Sequence, residues 1–347
     1  MSNGNVFCDF HHSSLLRSLS ILFEDRLGMD LYRPMGIEWY TNGFWRLTEW
    51  EATAVQFLSV YQTEIAGPEY YVNNVESYSN NIYNIWDVGK ESTHKAIGFD
   101  AFKSMKFDYV IASVPQHVPL YRELIRQFQP DAKLIVQMGN NWDLSLIDEC
   151  NVLASLKPST MFNNNAIFYH QEFDTNIFKP IDDYGFGRVT SYINCLDQNG
   201  GWSDFIRLEN QLLDIAQFRS LGGQCRDGFV GGPSEVASSV QKNDFVFQVK
   251  SGGDGYGHSL YNAYACGKPV IIRSSYYRGC LGEELFNVDN CIDLDRFSLE
   301  QAASVIRELV LDKDRLKEMS VNAYRSFVNC VNFDEDAARI KSWLESL

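Results

Sequence analysis

The chain has 347 residues, 45% of them apolar and 14% aromatic, enough to fill the cores of two domains of ordinary size. Its net charge of −15 is spread over both halves and argues against general binding to nucleic acid or anionic lipid, which needs Lys and Arg to neutralise phosphates. No stretch is apolar enough to span a membrane, Arg17, Glu24, Asp25 and Arg26 interrupt what would be a signal peptide, and none of the eight cysteines forms C-x-x-C, so a reduced, cytoplasmic protein is expected.

In chain order, 6–10 reads as a strand and 14–27 as a helix with Leu15, Leu19, Leu22 and Phe23 on one face and Gly28 as its stop. A strand at 29–32 follows, and strand, helix, strand begins a parallel sheet. The segment 34–95 is rich in Trp, Tyr and Asn and gives only a helix near 49–62. Strand at 109–112, helix at 120–128 and strand at 133–137 repeat the first pattern. The second half reads as strand 188–193, amphipathic helix 202–218 and helix 233–242. A short strand at 292–294, two helices within 298–328 and a final helix at 334–347 come last.

The most informative segment is 245–272, FVFQVKSGGDGYGHSLYNAYACGKPVII. Phe245 to Val249 is a buried strand by composition. Gly252, Gly253, Gly255 and Gly257 fall within six residues, a helix runs from His258 to Cys266, Gly267 ends it, and Val270 to Ile272 is a second strand. A glycine loop that opens a helix at a strand's carboxyl end offers N–H groups and a positive dipole end to a phosphate. It is neither a Walker sequence nor the dinucleotide fingerprint, since no Gly-Lys-Ser/Thr follows and His258 stands where the third glycine belongs.

The segment resembles the nucleotide-sugar loop of GT-B glycosyltransferases of the retaining family 4 (group 1) type. That family carries two Glu separated by seven residues, with Gly-Phe-Gly after the first and Ala-x-Ala-x-Gly-x-Pro-Val-Ile after the second. Here Asp254 and Asn262 keep the gap but replace both Glu, beside Gly255-Tyr256-Gly257 and Ala263-Tyr264-Ala265-Cys266-Gly267-Lys268-Pro269-Val270-Ile271. Asp174, Phe178 and Pro180 match the family's interdomain linker, with Asp182-Asp183-Tyr184-Gly185 as an exposed hinge.

The resemblance implies an α/β fold of GT-B architecture, two Rossmann-like domains facing a central cleft. Residues 1–180 are then an acceptor-binding domain, 186–330 a nucleotide-sugar domain, and 331–347 a helix crossing back. It implies sugar transfer from a UDP-sugar or GDP-sugar to an acceptor hydroxyl, with retention and without metal or other cofactor. The acceptor is left open between a soluble glycan, a small molecule and a modified nucleic acid base. In this reading Gly253, Gly255, Tyr256, Gly257, His258 and Ser259 hold the donor, Asn262 contacts ribose, and Asp254 and His258 approach the sugar. Ser191 and Asn194 stand where the family has its phosphate-binding Arg and Lys, and Lys250 is the substitute cation, with Arg273 and Arg278 in reserve.

Asp9-Phe10-His11-His12 lies where the first strand turns into the first helix, and two readings stay open. One is a general base, His11 oriented by Asp9, with His12 at the acceptor or sugar. The other is a polar helix start capped by Ser13 or Ser14. His117 and Asn140, also beyond strand ends, are further candidates for acceptor or sugar contact, against a surface-turn reading for His117. Glu38-Trp39-Tyr40 with Phe44-Trp45 makes either an aromatic wall or core. Asp293-Leu294-Asp295 spells the metal motif of the other glycosyltransferase fold, GT-A, but its position near the end fits no such arrangement, and no metal is expected. Two rivals remain: a non-catalytic nucleotide-sugar-binding module, which the loss of both Glu favours, and a phage-type transferase acting on hydroxymethylated bases in DNA.

Overall fold

The computed structural model describes residues 4–9, 13–34, 80–87, 92–113, 115–139, 150–155, 165–198 and 200–347. The chain forms two compact units, Met1–Phe173 with Phe333–Leu347, and Asp174–Asn332.

The first unit's described strands are β1 (Asn5–Cys8), β2 (Asp30–Pro34), β3 (Ile82–Asp87), β4 (Ser92–Ile97), β5 (Tyr109–Ala112), β6 (Lys133–Met138), β7 (Asn151–Ala154) and β8 (Ala166–Phe168), in the order β3-β4-β2-β1-β5-β6-β7-β8. Pairing is parallel throughout except between β3 and β4. Side chains alternate across the strands, as a pleated backbone requires. Phe7, Val110, Val136 and Val152 face one core with Phe99 and Phe102 of α2 (Phe99–Ser104) and Leu120, Tyr121 and Leu124 of α3 (Val118–Phe128). Val6, Cys8, Ile111, Ile135 and Leu153 face the other, against Leu15, Leu16 and Leu19 of α1 (Ser13–Ser20). The last helix of the chain (Phe333–Ser346) belongs to this unit and adds Ala337, Ile340 and Leu344 to that second core. It is fastened by Asp336, which accepts from the His170 N–H at 2.9 Å and meets His170 Nδ1 at 2.7 Å.

The second unit is a smaller parallel sheet, β10-β9-β11-β12-β13, from β9 (Arg188–Ser191), β10 (Gln217–Ser220), β11 (Phe245–Phe247), β12 (Val270–Ile272) and β13 (Cys291–Asp293). One face buries Val189, Phe218, Phe247 and Ile271 against α4 (Trp202–Leu212) and α7 (Leu299–Leu311). The remaining helices here are α5 (Pro233–Gln241), α6 (His258–Ala265) and α8 (Lys313–Cys330), so the helix at Phe333–Ser346 is α9. Ser298 starts α7 with a reciprocal capping box, its Oγ accepting from Gln301 N and its own N–H donating to Gln301 Oε1.

Several expectations need correction. The helix read over 202–218 stops at Leu212, and 217–220 is β10, an edge strand paired with β9. The turn leaves Leu213 69% exposed, and a period of two then begins, with Phe218 and Ser220 buried and Gln217 exposed. The helix over 14–27 is α-helical only to Ser20 and continues as a wider π-turn over Ile21–Arg26. Strands β3, β4, β7 and β8 and helix α2 appear where the sequence suggested none. Asp182 and Asp183 are exposed, and within the second unit Lys317 pairs with Asp182 at 2.7 Å while Gly185 N donates to Asp244 at 2.9 Å. The helix expected at 49–62 and the aromatic cluster at 38–45 lie outside the described residues.

None of the eight cysteines forms a disulfide. Burial pushes the Cys266 and Cys291 thiols up to about 12, as inert core residues require. Among the described residues no helix is long and apolar enough to cross a membrane.

Candidate functional site

In the second sheet the chain order reverses at β9, which lies between β10 and β11. In open parallel sheets ligands collect at such a switch point, outside the carboxyl ends of the strands. The glycine loop leaves β11 at that place.

Gln248, fully buried, organises the exit. Its N–H continues the ladder to Ile271 O at 2.8 Å, and its carbonyl accepts from Tyr277 OH at 3.0 Å. Its side chain accepts from Ser259 Oγ at 2.8 Å and donates to Asp254 Oδ2 at 3.2 Å, joining strand end, loop and helix. Sequence reasoning passed over this residue. The available signal was a lone amide in an otherwise apolar strand, since buried polar groups must be partnered.

The loop closes on itself through Gly253 N to Lys250 O at 2.9 Å. Gly253 has φ +71°, and a Cβ there would lie 2.1 Å from Tyr276 O. Gly257 caps α6 at φ +72° and ψ 68°, with no capping side chain. The Tyr256 ring stacks on Tyr261 at 4.1 Å, His258 meets Tyr256 edge-on at 5.1 Å, and Tyr261 OH donates to Glu284 at 3.0 Å. Every residue of α6 from Leu260 to Ala265 is buried, so the loop opens onto a helix fixed on all sides. Asn262 lies one turn in from His258, on the same face, and helical side chains lean toward the N-terminus. Asn262 Oδ1 is buried and has no hydrogen-bond partner among the described residues.

Lys250 and Asp254 form an ion pair inside the loop. The reserve cation Arg273 is committed elsewhere: it pairs with Asp204 at 2.7 Å and Asp295 at 3.3 Å and donates to Leu294 O at 3.0 Å. The D-x-D carboxylates brace the same corner. Asp293 Oδ1 accepts from Ser274 N at 3.1 Å and Asp295 N at 3.0 Å, and Asp295 Oδ2 accepts from Ser275 N at 2.8 Å.

At the β9 exit, Ser191 is buried and accepts from Ile193 N at 3.4 Å, while Asn194 Oδ1 accepts from Gly223 N at 2.8 Å and holds the loop after β10. This exit passes against the glycine loop, for a Cβ on Gly201 would come within 2.0 Å of Val249 O and one on Gly200 within 2.9 Å of Ser251 Cβ. The structure thus brings together Lys250, Gly253, Asp254, Tyr256, Gly257, His258, Ser259 and Asn262 on one strand-loop-helix unit. Gly255 falls in the same loop.

In the first sheet the reversal lies between β1 and β5, and Asp9 stands directly beyond β1. Its Oδ1 accepts from Ser113 N at 2.7 Å, beyond β5, and its Oδ2 meets His117 Nδ1. Among the described residues Asp9 thus holds His117, which is buried rather than on a surface turn. His11, His12 and Asn140 lie outside the described residues.

No family model matches the chain, and no curated protein matches it in sequence. Solved structures do match. Anabaena HepE, in complex with UDP and glucose, is similar over 99% of this chain and 100% of its own, at 11% identity and a TM-score of 0.65. Sucrose-phosphate synthase from Thermosynechococcus elongatus is similar over 99% of this chain and 98% of its own, at 11% identity and a TM-score of 0.62. A glycosyltransferase from Rickettsia africae is similar over 100% of this chain and 99% of its own, at 9% identity and a TM-score of 0.59. The likeness is one of fold: the chain has the GT-B fold, built from two Rossmann-like α/β units, as the resemblance of its glycine loop implied.

Proposed function

We propose that this protein is a glycosyltransferase that moves a sugar from a nucleotide-sugar donor to an acceptor hydroxyl. The observation that carries the reading is the glycine loop at the switch point of the second sheet, opening α6 with the buried Asn262 Oδ1, unpartnered among the described residues, one turn in. Helix N-terminus and loop N–H groups hold the diphosphate, and Asn262 accepts from a ribose hydroxyl. Lys250 offsets the charge that grows on the leaving diphosphate. Ser259 and Gln248 keep the loop in register. Asp254 and His258 meet the transferred sugar, and the first unit, with Asp9 and His117, serves the acceptor.

The reaction retains anomeric configuration and needs neither metal nor other cofactor, because dipole, N–H groups and lysine do the work of a cation. The donor is a UDP-sugar or GDP-sugar. UDP is the nucleotide in the HepE structure and UDP-glucose the ligand of a second HepE structure. We place the protein in the cytoplasm. The test is a thermal-shift screen against nucleoside diphosphates and their sugars, followed by donor turnover with and without candidate acceptors. No stabilisation by any nucleotide would remove the donor site.

A non-catalytic nucleotide-sugar-binding module is the second reading, favoured by Asn262 and Asp254 in place of two Glu. Donor hydrolysis without acceptor separates the two, since a binder yields none.

A further inference from the structure

Lys250 and Asp254, four residues apart, pair within the glycine loop, and the second oxygen of Asp254 accepts from Gln248 Nε2 at 3.2 Å. The loop thus contains a carboxylate of its own, held by a cation and an amide that a phosphate would also seek. The pair is not sealed away: the Lys250 side chain is 32% exposed and that of Asp254 16%. A second anion that reaches the lysine does so beside the carboxylate already there.

We infer that Asp254 is an internal stand-in for the donor phosphate, and that its exchange makes the loop select an intact nucleotide-sugar over the nucleoside diphosphate left after transfer. The inference rests on the donor reading above. An arriving diphosphate draws Lys250 away from Asp254. The carboxylate is then left beside a like charge in a partly desolvated loop, which costs free energy. An intact nucleotide-sugar relieves this, because the sugar hydroxyls next to the diphosphate donate to the carboxylate in place of the lysine. The spent nucleotide has no such donors, and its terminal phosphate carries an additional negative charge. Both penalties fall on the product and neither on the substrate. No bond is made or broken; the exchange is one of ion pairs and hydrogen bonds. Asp254 is a specificity-determining residue in this account, not only a brace for the loop.

Calorimetric titration of UDP, GDP and ADP, and of their glucose esters, into the parent protein and Asp254→Asn tests the inference, with melting curves to verify folding. The variant should bind the bare diphosphate about tenfold more tightly, the equivalent of one pKa unit of charge interaction, and the ester no more tightly. The preference for the ester then shrinks. If Asp254 is only a brace, the variant weakens both ligands together; that result, or an unchanged ratio, overturns the inference and leaves the donor reading standing. A parent that binds neither diphosphate nor ester in all three pairs overturns both. Should Asp254→Asn fail to fold, Lys250→Gln reads the same exchange: it should lose more affinity for the diphosphate than for the ester, and equal losses overturn the inference.

Discussion

Asp9 and His117 form a buried pair across 108 residues of sequence: Oδ2 of one meets Nδ1 of the other, and neither side chain is more than 1% exposed. The contact fixes the orientation of the imidazole ring. The other oxygen accepts from Ser113 N, which ties the exits of β1 and β5 together. Among the described residues, the histidine that meets Asp9 is His117.

His117→Ala should weaken transfer through poorer placement of the acceptor, while donor affinity in the second unit is kept; a loss of about 10²–10⁴-fold together with an inverted product would instead make His117 a general base. His11→Ala and His12→Ala should leave transfer within a few-fold of the parent, and the product should keep the donor's configuration. Rates for the three variants and product stereochemistry by NMR check this. An inverted product with a thousandfold loss in His11→Ala would return the base to the position first read from sequence.

Gly257 caps α6 in the left-handed region, where a side chain costs about 1–2 kcal/mol. Gly257→Ala should lose about that much stability yet fold, and should bind nucleoside diphosphates markedly more weakly. Unchanged affinity in the folded variant would take the loop out of the site.

Lys250→Ala should lower turnover more than donor affinity, by about 2–4 kcal/mol in the transition state, if its charge acts as the diphosphate departs. Arg273 does not stand in for it, being held by Asp204 and Asp295. Single-turnover rates against donor Kd separate the two effects, and equal rates in variant and parent would remove Lys250 from the chemistry.

Transfer should survive exhaustive chelation. The D-x-D carboxylates hold backbone N–H groups at Ser274 and Ser275, so Asp293→Ala should lower Tm rather than abolish a metal response. Activity lost on chelation, restored by manganese and absent in the variant would contradict this.

Asp336 links acid stability to the docking of α9. Burial alone would raise its carboxyl, but the His170 side chain and N–H, with Arg339, outweigh that and hold it below the usual carboxylate range. A depressed folded value adds stability that is present above the unfolded value, about 3.9, and is lost as pH falls through the folded one. Asp336→Asn should cost about 2 kcal/mol at pH 7, and the gap to the parent should close below about pH 4. A gap that does not narrow as pH falls below about 4 would mean the side chain matters for shape rather than charge.

The glycine loop was legible because everything that defines it is local: an alternating strand, four close glycines, a helix stop at Gly267. Strand β10 was not, because Leu212, Ile215 and Phe218 continue the helical spacing of α4. Only pairing with β9, set by residues some thirty positions earlier, makes 217–220 extended. The same limit hid the partner of Asp9, since no spacing rule joins residues 108 apart. Asn194 was placed where the family has its phosphate-binding residues, and Arg273 was a reserve cation. Their contacts with Gly223 and Asp204 could not be read from spacing, because they exist only once the sheet has assembled. The pairing of Lys250 with Asp254 was not legible either, because in a loop the i,i+4 spacing carries no helical geometry.

The burial of α6 on every side has a calorimetric consequence. A helix with no exposed face from Leu260 to Ala265 has little apolar surface left to cover when a ligand arrives at its first turn. Binding there should proceed without coupled folding, whose mark is a large negative heat-capacity change. The heat-capacity change measured for a nucleotide should thus match the surface of the ligand alone, and the enthalpy should vary only gently with temperature.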